Sequence, residues 1–546
     1  MQSPPAQPIL SPLIRELMIG VGIMAVVLTA RSFSLTYPGE LSADESELLV
    51  QIGRYHHDPL PWRSVDGSTI GPANPWFLLL LGQAGWPLTY GGLHLLAALL
   101  QSAIVAASYY TVRVFLPLSL ACLAAIAGTL AVAGSASINF MYFATELVPA
   151  LALSLGLLAL FRARHGGGTA TAWLCVSGFC SGLSPWAKLQ AAPIAAALIA
   201  MAIWRTWTQS PKVGTSTGRR IAPVVFVASS ALLPSVAITT CVLFGGVFRD
   251  FWASYVVANL GYAGDFSPGT ALLRFRDLIL QSQLNGLMTA VVLLGLFCAI
   301  RLLRGERRGS GFVPDVLPAA AGYLGIAVYS CLRPPFGFGH YHIFLINPLI
   351  VASGALLGTI QRDQGATPGR LGAMKIGRIA CLLILPIGLL AVVHTRQNSA
   401  LRRYLTAKIA DANQDFPATV VHEIRRLAPD ASTMVVWGWM PGLYVRSGLS
   451  CVTRHTVGHF LIDPGPSQAV LREQFLAEVR GARPEVIVDA VASDCFTWYW
   501  PVASSGIDSF PEFARFVREN YILASSLIGD QPGVPLRIFV RKQTGP

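Results

Sequence analysis

The sequence predicts a polytopic α-helical membrane protein with an α/β domain at its C-terminal end, and three observations carry that reading. The first is composition. Of 546 residues, 53% are hydrophobic and only 12% charged, with a mean hydropathy of +0.54, which is more apolar surface than a soluble fold of this size can bury. The second is length: apolar runs of about 20 residues, enough for a helix to cross a hydrocarbon core of roughly 30 Å, recur from Leu17 to near His394. The third is a change of character after Ala400, where charged and polar residues return at ordinary density over a stretch the size of a domain.

Spans are expected near 16–35, 92–112, 118–137, 144–161, 170–187, 189–204, 222–244, 284–300, 314–332, 341–360 and 377–395, about eleven transmembrane helices by the length rule. The first follows Arg15 and reads as a retained span, because Leu28 stands where cleavage after Ala30 would want a small residue. An odd count puts the termini on opposite sides. The loops at 162–164, 205–220, 301–308 and 362–378 share one side and hold most of the short-loop Lys and Arg, so that side, with the N-terminus, is expected to be cytoplasmic. The net charge of +12 therefore reports orientation in a bilayer, not affinity for nucleic acid. The loops around Asp44, Asn139, Asp265 and Arg333 fall on the outer face together with the C-terminal domain. The stretch from Asn74 to Gly92, short and broken by Pro75 and Pro87, is expected to lie on the membrane as interfacial helices. The expected division is a membrane domain over 1–396, with a first outer loop at 36–91, and an extracytoplasmic domain over 397–546.

In that second domain, helix periodicity runs through 417–427, 467–480 and 510–521, and strand character marks 434–437, 486–488 and 536–540. Cys451 and Cys495 both lie there. An oxidising periplasm would permit their pairing, and two cysteines alone leave it open. Trp437-Gly438-Trp439 has two readings, a sugar-stacking surface or, more in keeping with aromatic burial, domain core.

Chemistry is expected where ionisable side chains meet the membrane, since they are costly there. The first outer loop reads Gly39-Glu40-Leu41-Ser42-Ala43-Asp44-Glu45-Ser46-Glu47, continues as a short helical pattern to Tyr55, and ends in a Pro-rich stretch up to Trp76-Phe77. Further along come Thr145-Glu146-Leu147-Val148-Pro149 at the start of the fourth span, a glycine-rich span from Gly178 to Pro185-Trp186-Ala187-Lys188, and His340-Tyr341 ahead of Leu345-Ile346-Asn347-Pro348. His56-His57-Asp58 invites a metal reading, but adjacent helical histidines point in different directions. Glu47 is read as solvent-facing.

These four pieces, in this order and on one expected face, resemble the membrane glycosyltransferases of the GT-C superfamily, among them the protein mannosyltransferases and the aminoarabinose transferases that modify lipid A. The likeness covers the membrane half and, more loosely, the C-terminal module. Two departures are Asn74, where related enzymes often carry a basic residue, and Ser46 after the acidic pair. The resemblance implies transfer, with inversion, of a sugar from a polyprenyl-phosphate donor to a glycolipid, polysaccharide or protein acceptor outside the cytoplasm, in the inner membrane of a bacterium. Asp44 would then be the base that takes the acceptor proton. Glu45 would orient the acceptor or, with Asp44, hold a divalent ion such as magnesium, manganese or calcium; no cofactor is required by the sequence. Lys188, Arg333 and His340 would meet the departing phosphate, Tyr341 would stand beside them, and Glu146 would support the pocket.

Each has a plainer reading. Lys188 can snorkel to the interface, Arg333 can anchor a helix end, His340 can satisfy a carbonyl, and Tyr341 can belong to an aromatic belt. The rival function is a transporter or lipid-linked glycan flippase, for which inverted repeats, broken helices at the midplane and charges within spans would speak. A polymerase using a pyrophosphate-linked glycan would place its large outer loop between late spans, whereas the soluble domain here is terminal.

Overall fold

The computed structural model describes residues 11–135, 137–163, 169–209, 217–262, 264, 267–303, 313–334, 337–362, 383–389, 399–406, 415–496 and 501–543. Long apolar helices dominate up to residue 362. Among the described residues, five are long and apolar enough to cross a bilayer, Leu13–Ala30, Tyr90–Arg113, Leu189–Thr208, Ile221–Phe244 and Gly339–Gln361, and a sixth results if one bent pair counts as a span. Leu118–Ala133, Leu147–Arg162 and Val316–Leu332 are apolar but shorter. A 16-residue helix is about 24 Å long, less than the hydrocarbon thickness, so each would need its flanking turns to complete a crossing. The expected last span at 377–395 lies largely outside the described residues, as do the domain boundary at 396 and Asp265.

The membrane helices expose Leu232, Val236, Leu243, Phe244, Leu296 and similar side chains, which in water would be an aggregation surface and in lipid is the expected outer face. Inward, Ala and Gly let helices approach closely, as Gly182 does against the Ala231 backbone. Arg31, fully buried at the C-terminal end of the first helix, donates to the carbonyls of Phe140 and Val132 and to the Gln101 side chain. One cation thereby holds the 134–146 loop to the bundle.

Two features depart from the sequence reading, and a third agrees with its expectation of no span over 74–92. Pro268–Gln281 is an amphipathic helix joined to Asn285–Arg301 at a bend of 107°, with Leu272, Leu273 and Leu280 exposed. Helical segments from Phe248 to Tyr262 precede it, where only a loop was expected. Asn74 to Gly92 resolves into Ala73–Gln83, a helix of 11 residues that is too short to span, and the beginning of Tyr90–Arg113.

Past residue 415, a five-stranded sheet of order β2-β1-β3-β5-β4 is built from β1 (Thr433–Trp437), β2 (Ser450–Cys451), β3 (Val486–Asp489), β4 (Tyr521–Leu527) and β5 (Leu536–Arg541). β1 runs parallel to β2 and β3, while β5 is antiparallel to β3 and β4. Helices Phe416–Leu427, Gln468–Ala482 and Pro511–Asn520 match the periodicity. β4 was missed because only its first residue is buried and its middle is Ala-Ser-Ser. Cys451 and Cys495 are both free; the Cys451 thiol donates to the Thr453 carbonyl oxygen and the Cys495 thiol faces the Met440 sulfur.

This unit is fastened to the segments of the bundle that carry Arg54, Trp62, Asp66 and Asp250. Arg454 pairs with Asp250 at 2.8 Å and with Glu478, and donates to the Trp62 carbonyl oxygen. Asp66 and His455 form a parallel bridge, and Arg54 donates to the Cys451 carbonyl oxygen.

Candidate active site

The loop at 36–91 owes the placement of its acidic residues to a helix cap. Ser42 caps the helix Ala43–Tyr55, its hydroxyl accepting from the Asp44 amide, which puts Asp44 and Glu45 in the first turn, where the helix dipole favours carboxylates. Successive helical residues point about 100° apart, and the acidic pair accordingly separates. Asp44 faces a cavity. Glu45 turns into the bundle, fully buried, accepting from the Leu41 and Phe143 amides and meeting His94 at 3.2 Å. Asp44 and Glu45 therefore do not fit as joint ligands of a metal ion, and no group of three His, Cys, Asp or Glu among the described residues could hold one. His56 and His57 are exposed, and Asp58 pairs with Arg63.

The residue that shares Asp44's face is Glu47, one turn on. It is 2% exposed and lines the same cavity, correcting the solvent-facing expectation. Its Oε1 accepts from Gln51 at 2.9 Å. Burial, and after it the charge on Asp44, pushes the Glu47 carboxyl well above the usual range. The sequence signal that would have found it is the i,i+3 spacing from Asp44.

The cavity, about 150 Å³, is also lined by Thr69 and Ile70 of the Pro-rich stretch, Tyr142 and Thr145, Lys188, and His340 with Tyr341. Lys188 arrives at the end of its glycine-rich helix, where Ile70 and Lys188 form an antiparallel bridge and the Gly71 amide donates to the Ala187 carbonyl. That approach needs glycine at 71, because a Cβ would collide with the Trp186 carbonyl oxygen and the Tyr255 hydroxyl. Asn74 completes the junction, its amide donating at 2.9 Å to the carbonyls of both Thr145 and Ala187.

Within the cavity wall, Lys188 Nζ lies 3.2 Å from Glu146 Oε1 and donates to Thr145 Oγ1 at 2.9 Å. His340 Nε2 is 4.0 Å from the same Glu146 oxygen, and its Nδ1 is 2.9 Å from the Tyr142 hydroxyl. Tyr142 in turn donates to Asp44 Oδ2 at 3.2 Å. Tyr341 reaches Tyr262 through their hydroxyls at 3.2 Å. Arg333 stands apart, outside the lining, and donates to the Gly264 carbonyl oxygen at 3.0 Å.

The sheet-bearing unit supplies the remaining wall with Trp439, His459 and Phe496. The two tryptophans divide the roles the sequence left open: Trp437 is wholly buried in the core of its own unit, while Trp439 lines the cavity. Tyr142, Glu47, His459 and Phe496 are what sequence reasoning missed.

No family model and no curated protein matches the sequence. Among solved structures, ArnT of Cupriavidus metallidurans bound to undecaprenyl phosphate aligns at a TM-score of 0.56 and 12% identity, over 96% of this chain and 99% of that one. The chain has a GT-C-like fold. Apo ArnT from the same organism aligns at 0.55 and 12%, over 98% of this chain and 100% of that one. An oligosaccharyltransferase of Archaeoglobus fulgidus aligns at 0.48 and 12%, over 97% and 74%. The GT-C likeness of the membrane half, expressed in the sequence by four short motifs, extends at the level of fold through the C-terminal unit.

Proposed function

We propose that this protein is an inverting glycosyltransferase that moves a sugar from a polyprenyl-phosphate donor to an acceptor on the outer side of a bacterial inner membrane. The N-terminus would be cytoplasmic, and the sheet-bearing unit, about residues 397–546, would form an extracytoplasmic domain over a membrane domain of 1–396. The observation that carries this reading is convergence: Asp44, Lys188 and His340, from three distant segments, line one cavity at the mouth of a bundle with the GT-C-like fold. The ArnT structure contains undecaprenyl phosphate, which supports a lipid phosphate as the donor's leaving group.

In this reading Asp44 takes the proton of the acceptor hydroxyl or amine as that atom attacks the anomeric carbon, and a carboxylate with one cavity-facing edge suits the task. The leaving phosphate gains charge as the glycosidic bond breaks. Lys188, held by Glu146 and Thr145, supplies a fixed cation beside it, and His340 lines the cavity wall next to that cation. Glu146 sets the ammonium in place, Glu45 pins the loop carrying Asp44 to the bundle, and Tyr341 walls the cavity. The aromatic side chains of the C-terminal unit form the face against which a sugar ring packs. The acceptor is a glycolipid, polysaccharide or protein.

The test is incubation of purified protein in lipid with a panel of radiolabelled polyprenyl-phosphate sugars. Release of label from at least one lipid supports the reading, and no consumption of any donor rejects it in favour of a transport function.

A further inference from the structure

The hydrogen-bond chain across the cavity runs through a side chain to which the glycosyl-transfer reading gives no role. Tyr142 is buried, 1% exposed, yet its hydroxyl lies between two groups of that reading, Asp44 Oδ2 at 3.2 Å and His340 Nδ1 at 2.9 Å. We propose that Tyr142 is a positioning residue that fixes the acceptor-side carboxylate of Asp44 and the tautomer of His340 through one shared hydroxyl.

The argument is a count of protons. A phenol has one O–H to give and an oxygen that accepts. An ionised carboxylate only accepts, so the Tyr142 proton goes to Asp44. His340 Nδ1, facing the same oxygen, must then carry a hydrogen and donate it, leaving Nε2 turned towards Glu146 Oε1 at 4.0 Å. Asp44, Tyr142 and His340 are thus linked by hydrogen bonds, and the Nε2 edge of His340 faces the Glu146–Lys188 ion pair on the cation side of the cavity. With one Asp44 oxygen held by the phenol, the other is the one available to an acceptor.

The packing explains why the bridge is rigid. Tyr142 follows the 3₁₀ turn Ile138–Phe140, which Arg31 clamps through the Phe140 carbonyl, and the next amide, Phe143, donates to Glu45. Its neighbours at the site come from every side. Glu47 faces Asp44 from the same helix, Lys188 from the glycine-rich span, Tyr341 from the turn of His340, and His459 from the C-terminal unit. From the loop between these elements, Tyr142 donates to Asp44's carboxylate.

The proposal rests on the glycosyl-transfer reading, and the experiment separates the two. Wild-type protein and Tyr142→Phe are compared for donor consumption across pH 5–9. Removal of one hydrogen bond to a charged group predicts a fall in kcat of about ten- to a hundredfold, with KM for the lipid-linked donor unchanged. Because the lost bond stabilised the ionised carboxylate, the acidic limb of the pH profile should move to higher pH by about one unit. A merely structural tyrosine would lower kcat and raise KM without moving the limb. A near-isosteric variant guards against misfolding: 2,3-difluorotyrosine at 142, a stronger donor, should move the acidic limb to lower pH. An unmoved limb in both variants overturns the proposal while leaving the proposed function standing. A wild-type protein that consumes no donor rejects the function itself.

Discussion

Replacing Lys188 by Met tests whether this cation is structural, chemical or both. Its ammonium is 3.2 Å from Glu146 Oε1, with side-chain exposures of 10% and 1%. At an effective dielectric of about 20, unit charges at that separation attract by about 5 kcal/mol. Part of this is offset by desolvation. Removing one partner nevertheless leaves Glu146 charged and buried, an outcome that typically costs about 3–5 kcal/mol. Lys188→Met should therefore lower unfolding free energy in mixed micelles by that amount. Adding Glu146→Gln removes the stranded charge and should restore about half of the loss or more. Donor consumption should not return with it, because the cation beside the leaving phosphate is still missing. Two results would refute the reasoning. A double variant no more stable than Lys188→Met denies the buried ion pair, and a double variant with wild-type activity denies the leaving-group role.

Three further outcomes are expected. Gly71→Ala forces a Cβ into the Trp186 carbonyl and the Tyr255 hydroxyl, so it should displace the Ile70–Lys188 bridge and cut donor turnover at least tenfold, about 1.4 kcal/mol; an unchanged rate would mean the junction relaxes freely. Arg454→Met removes the cation shared by Asp250, Glu478 and Trp62 and should speed limited proteolysis between the bundle and the sheet-bearing unit, whereas an identical digestion pattern would contradict its role as a fastener. Glu47, with its carboxyl raised well above the usual range, contributes stability that is complete below the unfolded carboxylate value of about 4.3 and is lost as pH rises towards and through the folded value. Wild type should thus lose stability from pH 5 to pH 9 relative to Glu47→Gln, and parallel curves would contradict a carboxyl kept neutral by burial.

How far the sequence was legible depended on which physical signal each feature leaves. Span-length apolar runs survive as helices because the bilayer imposes a length, so most of the bundle could be traced. Strands β1 and β3 were legible because they are largely buried, Val486–Asp489 wholly so, and β5 because buried Leu536 and Ile538 alternate with half-buried residues. The amphipathic helix Pro268–Gln281 carries Arg274, Arg276 and Asp277, which broke the apolar run and read as loop. At the site, Asp44, Lys188, His340 and Tyr341 could be named from short motifs, and the fold brings all four to one cavity. Glu45 was paired with Asp44 by adjacency, although adjacency on a helix separates side chains, and Glu47 was passed over although one turn brings it onto the same face. Tyr142 left no sequence signal, since its role comes from a bond across 98 positions to Asp44 and another across 198 to His340. Phe496 likewise meets the cavity only because the C-terminal unit docks on the bundle, and that docking decides that Trp439, and not Trp437, faces it.

The most direct measurement is single-turnover donor consumption by wild-type protein and by Asp44→Asn, both inserted in proteoliposomes with equal lipid-phosphate binding. Loss of a general base predicts a rate lower by about 10²- to 10⁴-fold in the variant, with the wild-type product inverted at its anomeric carbon. Equal rates for the two proteins, or a product of retained configuration, would contradict the account.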